Sequence, residues 1–319
     1  MSGPGPPPAH DPQRLALAWR TAPLSIDFIL DIRAISRRDR DLIDSLLFAT
    51  IIASNVAPLT QDPGLQLAYA DLASPAPAEM RRPVSVNAVA QSMRIPFETA
   101  RRRVRRMEKA GILEVTARGV TVPQSILQRP DFIEGILQRH DRIGQFYREL
   151  CAAGVLTAVV AAGGAGDPPP VLITNRLTWE YVLRMADEMI AMTGDPLSGL
   201  ILMKIVQHNI RGLGPDELTV WARNPVAAGL PARTSSFAAE LGLSPETARR
   251  YVMSLETAGF LHRSTRGAVA IAPPEEAPAL ERMALDNLAN VQRTFARLGQ
   301  LGALAGFEDE ARPGAAAAC

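Results

Sequence analysis

The hydrophobic and polar positions of this chain follow a pattern that occurs twice. Apolar residues recur at helical spacing through Ser85–Val122, and the same pattern returns 148 residues later in Arg233–Ala270. The two 38-residue stretches align without a gap and share 13 identical positions, including Glu-Thr-Ala-Arg-Arg at 98–102 and 246–250. An internal repeat of this kind indicates that the chain contains two copies of one structural unit, so we interpret it as a duplication.

Each copy predicts a helix, a tight turn, a second helix and a two-stranded hairpin. In the second copy, Thr234–Leu241 is predicted as a helix that Gly242 ends, and Ser244 is a suitable N-cap for the next helix. That next helix has an inward stripe at i, i+4 and i+7, formed by Ala248, Val252 and Leu255. The first copy has Pro96 where the second has Ser244, so the sequence defines its second helix less sharply at the start.

The duplication extends beyond these stretches on both sides. Before the first copy, the pattern predicts helices at Arg14–Ala22, Ser25–Ile35 and Asp39–Ala57; the last two return 154 residues later as Trp179–Met189 and Asp195–Ile210. After each hairpin comes a long apolar-striped helix, Pro130–Leu156 or Pro278–Leu304. Such helices need partners to cover their apolar faces, and we expect these two to pack on each other.

Proline- and alanine-rich connections, Pro58–Val84 and Gly212–Ala232, precede the two copies. Each contains one aromatic-alanine pair, at Tyr69 and at Trp221. The simpler interpretation is that each aromatic side chain anchors its loop to the core. The alternative is that it forms the wall of a pocket for an effector or a partner.

The turn, the Glu-Thr-Ala-Arg-Arg helix start and the Arg-Gly hairpin tip resemble the winged helix-turn-helix of bacterial transcription regulators. With helices outside the winged helix, the order of elements is similar to that of the MarR family. The resemblance implies a mainly α fold with small β-hairpin wings. It would comprise two tandem winged helix-turn-helix domains, whose N- and C-terminal helices pack as a pseudo-dimer within one chain. The long loops and the fusion depart from that family.

The predicted domains follow from these patterns. Residues 1–14 form a disordered N-terminus, 15–162 the first repeat, 163–170 a Gly/Pro linker, 171–307 the second repeat and 308–319 a tail. The N-terminus lacks the charged start and apolar run of a signal peptide, and the longest apolar run is too short to span a bilayer. The two cysteines provide no disulfide framework. We therefore expect a cytoplasmic, nucleoid-associated protein.

The candidate chemistry is local, because the whole chain carries a net charge of only +1. Between Arg81 and Arg118 there are ten basic and three acidic residues, a surplus of +7. Residues off the apolar stripe of the second helix would enter the major groove of DNA. In the first copy the candidate DNA-binding residues are Glu98, Thr99, Arg101, Arg102, Arg105, Arg106, Lys109 and the hairpin-tip Arg118.

The second copy is less basic, with a surplus of +2 between Arg233 and Arg266. Its candidate DNA-binding residues are Ser244, Glu246, Thr247, Arg249, Arg250 and Arg266. This copy could instead bind a protein partner. The two unlike reading faces predict an imperfect inverted repeat in double-stranded DNA, bound by a monomer rather than by a homodimer.

The sequence offers no catalytic residues, no metal site and no cofactor motif, since it lacks nucleophile–base pairs, phosphate loops and clustered histidines. We expect a sequence-specific DNA-binding transcriptional regulator rather than an enzyme. A replication initiator or chromosome-organisation factor is the first alternative, and a winged-helix protein-interaction module is the second.

Overall fold

The computed structural model describes residues 11–37, 40–157, 169–271 and 277–309. The protein is mainly helical and contains two small antiparallel sheets of two strands each. Three predicted segments fall mostly outside the described residues. They are the disordered N-terminus at residues 1–10, the linker at residues 163–168 and the tail at residues 310–319.

The elements of the first half are bounded as follows: α1 Pro12–Arg37, α2 Leu42–Asn55, α3 Ala57–Gln61, α4 Pro63–Ala68, α5 Val86–Ser92, α6 Phe97–Lys109, β1 Glu114–Thr116, β2 Gly119–Thr121, α7 Gln124–Leu127 and α8 Pro130–Ala152. A 3₁₀ turn at Ala78–Met80 precedes α5.

The second half continues in a similar order: α9 Val171–Thr193, α10 Pro196–Asn209, α11 Pro215–Arg223, α12 Pro225–Ala228, α13 Thr234–Leu241, α14 Pro245–Thr257, β3 Leu261–Ser264, β4 Gly267–Ala270, α15 Ala277–Gln300 and α16 Ala305–Asp309. The bounds predicted for α13 are confirmed. Ser244 caps α14 by accepting a hydrogen bond from the Thr247 N–H, whereas Pro96 provides no side-chain cap to α6.

The duplication recurs in the hydrogen bonds of two fully buried asparagines. Asn55, at the end of α2, donates to the carbonyls of Arg82 and Val120 and accepts from the Val122 N–H. Asn209, at the end of α10, makes the same three bonds to residues exactly 148 positions further on: it donates to Leu230 and Ala268 and accepts from Ala270. Each asparagine therefore fastens its hairpin, and the extended segment before it, to the preceding helix.

Four long helices form the centre of the molecule. α1 lies against α8 and α15, and α9 also lies against α8 and α15. The two helices of each repeat are therefore neighbours in the bundle, and equivalent helices of the two repeats, α1 and α9 or α8 and α15, lie diagonally opposite each other. One aromatic side chain from each helix meets in the middle: Phe28 stacks on Phe146 with a centroid distance of 4.3 Å, and Tyr181 and Phe295 lie within 6.3 Å of Phe146.

The expectation that the two long helices pack chiefly on each other is therefore wrong. α8 and α15 meet through aromatic contacts at Phe295, and most of their apolar faces are covered by α1 and α9. Both helices also end earlier than predicted, at Ala152 and Gln300. A glycine with left-handed backbone follows each end, Gly154 and Gly302, both with φ of 70°.

The sequence divided the N-terminal region differently from the structure. Arg14–Ala22 and Ser25–Ile35 belong to one helix, α1, which continues through Pro23 and begins at Pro12 within the segment predicted to be disordered. An internal proline costs a helix about 3 kcal/mol, and here burial of α1 between α8 and α15 offsets that cost. α9 is likewise longer than the predicted Trp179–Met189.

The connections before the two copies are partly helical rather than irregular, since they contain α3, α4, α11 and α12. Trp221 is buried and Tyr69 is half-buried; the burial of Trp221 is compatible both with a loop anchor and with the wall of a pocket. Within the described segments, no single helix has the length and apolarity to cross a membrane; α9 and α10 meet that test only as a pair, with a bend of 99° between them.

Candidate nucleic-acid interface

The outer face of α6 gathers most of the candidate residues of the first copy. Its inner face is apolar because Ala100, Val104 and Met107 recur at helical spacing and are all buried. This stripe fixes the rotation of α6, so the polar residues between its members face outward. The shallow surface they form is lined by Glu98, Thr99, Arg101, Arg102, Arg105, Arg106 and Lys109.

Glu98 and Arg101 form a pair at the start of the helix. The Arg101 guanidinium donates to both carboxylate oxygens of Glu98, at 2.7 to 3.0 Å. The hydrogen bond from Arg101 lowers the pKa of the Glu98 carboxyl, and the same bond raises the pKa of Arg101. The Arg101 side chain is 40% exposed and that of Glu98 is 68% exposed, so Arg101 is oriented by Glu98 while remaining accessible from solvent.

Three cations further along the same face have no such partner. Across the described residues, no carboxylate lies within ion-pair distance of Arg102, Arg105 or Lys109, and all three side chains are exposed. Arg118 is exposed at the β1–β2 tip, where its backbone N–H donates to the Thr116 hydroxyl at 3.2 Å. These four residues can offer their full charge to an external anion.

Arg106, which was also predicted to contact DNA, is instead paired with carboxylates of the protein. Its guanidinium is hydrogen-bonded to Asp44 and lies 3.5 Å from Asp41, both at the start of α2. The neighbouring Arg103, which sequence reasoning left out, donates to Asp41 and Asp44 at 2.7 Å. Burial raises the pKa of Asp41, but the hydrogen bond and charge of Arg103 outweigh it and hold that pKa below its usual range.

This cluster changes the charge of the surface. Asp41 and Asp44 lie outside the stretch counted from the sequence, and including them lowers the surplus of the first copy from +7 to +5. In the second copy, Lys204 of α10 pairs with Glu240 at 2.5 Å, which raises the surplus there from +2 to +3. The two surfaces are therefore closer in charge than the sequence indicates.

The second copy presents α14 in the same manner, with Ala248, Val252 and Leu255 buried as predicted. Ser244 is occupied as a cap and shares a 2.8 Å hydrogen bond with the Thr247 hydroxyl. Glu246, Arg249 and Arg266 are exposed, the last at the β3–β4 tip.

Two residues of this face differ from their counterparts in the first copy. Arg250 lies over the Tyr251 ring at 5.5 Å. Met253, which stands where the first copy has Arg105, is 46% exposed.

The turn between α5 and α6 and the equivalent turn between α13 and α14 are each held by a different contact. Arg94 has a left-handed backbone with φ of 50°, and its counterpart Gly242 has φ of 67°. Arg33 of α1 donates to the Leu241 carbonyl at 2.9 Å, beside Gly242, whereas Arg94 lies 3.9 Å from Asp187 of α9. Asp187 is the counterpart of Arg33 at an offset of 154, so both turns are tied to the bundle at equivalent positions.

Comparison of the chain with models of protein families, with curated proteins and with solved structures finds no match.

Proposed function

We propose that the protein is a sequence-specific double-stranded DNA-binding regulator of transcription, built from two tandem winged helix-turn-helix units that act as a pseudo-dimer. The observation that carries the proposal is the outer face of α6. There Arg102, Arg105 and Lys109 stand unpaired beside an Arg101 that Glu98 orients. A short helix, a tight turn and a second helix with exposed cations suit the major groove, and the basic hairpin tip suits a phosphate or the adjacent minor groove.

Arginine recognises guanine through two hydrogen bonds to O6 and N7, and lysine and arginine neutralise phosphates. The ordered Arg101 suits the first role because its pair with Glu98 restricts its rotamers before DNA arrives. Arg102, Arg105 and Lys109 suit the second, since they are solvated and adaptable. Base contacts would specify the site, while phosphate contacts would set the affinity and the register.

The second unit shares the Glu-Thr-Ala-Arg-Arg start but has fewer free cations. Similar helix starts on unlike faces favour an imperfect inverted repeat, with half-sites alike at the bases nearest the two helix starts. Contact with a protein partner is the alternative role for this unit. Cytoplasmic, nucleoid-associated localisation and action as a monomer belong to the same proposal.

The test uses two matched double variants of the full chain, Arg101→Ala with Arg102→Ala and Arg249→Ala with Arg250→Ala. Sites are first selected from random-sequence DNA, and affinity is then measured by fluorescence anisotropy at several salt concentrations. We expect the first variant to lose more affinity, because α6 has more unpaired cations. Each lost phosphate contact should also flatten the log–log salt slope by about 1.

Two results would count against this reasoning. Failure to enrich any DNA sequence would refute the function. Equal losses of affinity in the two variants would be compatible with the proposed DNA binding but would refute the leading role of α6. Far-UV circular dichroism on each variant establishes that a loss of affinity is not a loss of fold.

A further inference from the structure

A cavity of about 130 Å³ lies between α1, α9, α10, α11, the base of the β3–β4 hairpin and α15. Two tryptophans, Trp19 and Trp221, line it and are both more than nine-tenths buried. Five methionine side chains, Met185, Met189, Met192, Met203 and Met283, complete much of the wall. No residue of the lining carries a charge.

The amide of Asn287 and the hydroxyl of Ser25 already have partners in the lining, whereas the buried indole N–H of Trp221 has none among the described residues. The Asn287 amide donates to the Ser25 hydroxyl at 3.0 Å and accepts from the Tyr181 hydroxyl at 2.8 Å. A charged guest would find no opposite charge here, and burial without a partner costs several kcal/mol. The lining therefore selects a neutral, mainly apolar guest, to which the Trp221 N–H could donate one hydrogen bond.

The equivalent space in the first half is filled by larger side chains. Where the cavity has Ala22, Ser25, Leu202, Leu280 and Asn287, the counterparts at the repeat offsets are Arg176, Trp179, Phe48, Phe132 and Arg139. Arg139 is buried over the Trp179 ring at 5.8 Å, and Phe48 meets Phe132 edge-on at 6.3 Å. The space that remains among them is about 30 Å³.

An empty space of this size destabilises a core by several kcal/mol through lost packing. The first half shows that this architecture can fill the position, so the open cavity of the second half is a difference between the repeats rather than a consequence of the fold. Apolar protein cavities of about 150 Å³ stay dry and accept a benzene molecule. Methionine sulfur and tryptophan rings both favour aromatic neighbours.

We propose that this cavity is a binding site for one small, neutral aromatic molecule per chain, about the size of a single substituted ring. In the first half, Phe48, Phe132, Trp179 and Arg139 leave only about 30 Å³ at the corresponding position. The larger groove beside it has charged residues in its lining, among them Arg40, Asp131 and Glu134, and does not suit the same guest.

The probe for the test is iodobenzene, whose heavy atom quenches the fluorescence of adjacent tryptophans. The chain has three tryptophans, and only Trp179 lies outside the lining, so the full chain carrying W179F reports the cavity alone. We expect saturable quenching with half-saturation on the order of 0.1–1 mM, the range for very small ligands.

Two variants fill the cavity from different helices, Ala22→Phe on α1 and Ala222→Leu on α11, both at half-buried positions. Each should weaken iodobenzene binding roughly tenfold or more, since the ring and the added side chain compete for one volume. Leu137→Phe is the matched control, because it adds an aromatic ring at an exposed site of α8 outside the cavity, and it should change nothing.

The proposal is overturned if quenching rises linearly without saturation, or if both filling variants bind iodobenzene like the parent. If Ala22→Phe fails to fold, as judged by circular dichroism, Ala222→Leu decides the question. The measurement contains no DNA, so its failure would leave the proposed DNA-binding function untouched.

Discussion

Replacing Asp44 with asparagine should lower the free energy of unfolding and leave more positive charge available on α6. The Asp44 side chain is 9% exposed and binds two arginines of α6: Arg103 donates to Oδ1 at 2.7 Å, and Arg106 is hydrogen-bonded to Oδ2. Asparagine keeps the shape and one acceptor oxygen but removes the charge. One guanidinium then loses its bond to this side chain and the other keeps only a neutral acceptor there, while Asp41 still contacts both arginines.

The magnitude follows from the exposure of the two partners. Hydrogen bonds to charged groups contribute about 1.5–3 kcal/mol to stability, and exposed ion pairs contribute about 0–1 kcal/mol. The Arg103 side chain is only 20% exposed, so we expect its bond to contribute as a hydrogen bond to a charged group does. The Arg106 side chain is 59% exposed, so we expect its bond to contribute as an exposed ion pair does. We expect Asp44→Asn to lower the free energy of unfolding by about 2 kcal/mol.

Urea denaturation followed by circular dichroism measures this loss, and urea leaves the ion pairs unscreened. Glu256→Gln is the control: its pair with Arg263 is 2.5 Å long but about two-fifths exposed on both sides, so its loss should cost no more than about 1 kcal/mol. The released Arg106 should also contact DNA phosphate, which would steepen the log–log salt slope of DNA binding by about 1.

Unchanged stability in Asp44→Asn would refute the view that Asp44 fixes α6 against α2. A stability loss with an unchanged salt slope would separate the two claims: the cluster would be structural, and Arg106 would lie outside the DNA interface even when it is free.

Two further predictions concern the scaffold. Asn55→Ala and Asn209→Ala should each lower the free energy of unfolding by roughly 2–4 kcal/mol, because each removes the three hydrogen bonds of a fully buried side chain. The exposed Asn87→Ala should have little effect, and similar urea midpoints for all three variants would be contrary evidence. The lowered pKa of Asp41 means that its contribution is present above the unfolded pKa of about 4 and is lost as pH falls through the lower folded value. Asp41→Asn should therefore flatten the decline in stability below about pH 4, as acid titration of the unfolding free energy would detect.

The sequence alone determined the features that depend on neighbouring residues. The bounds of α13, the serine cap of α14, the buried stripe of α14 and the Arg-Gly hairpin tips all arise within a few positions of one another, and the structure agrees with each. Asn55 and Asn209 are also counterparts in the sequence, at the offset of 154, and they make equivalent hydrogen bonds. Where a local signal misled, as at Pro23, tertiary burial outweighed it.

Tertiary structure alone decided which charges are free and which spaces are filled. Arg103 and Arg106 meet carboxylates about 60 residues earlier in the chain, and no local pattern marks that distant pairing. The crossed arrangement of α1, α8, α9 and α15 likewise depends on which apolar faces fit together in three dimensions. The cavity has the same origin: five substitutions scattered along a duplicated chain converge on one volume, and only the packing of distant helices shows that one repeat fills it while the other leaves it open.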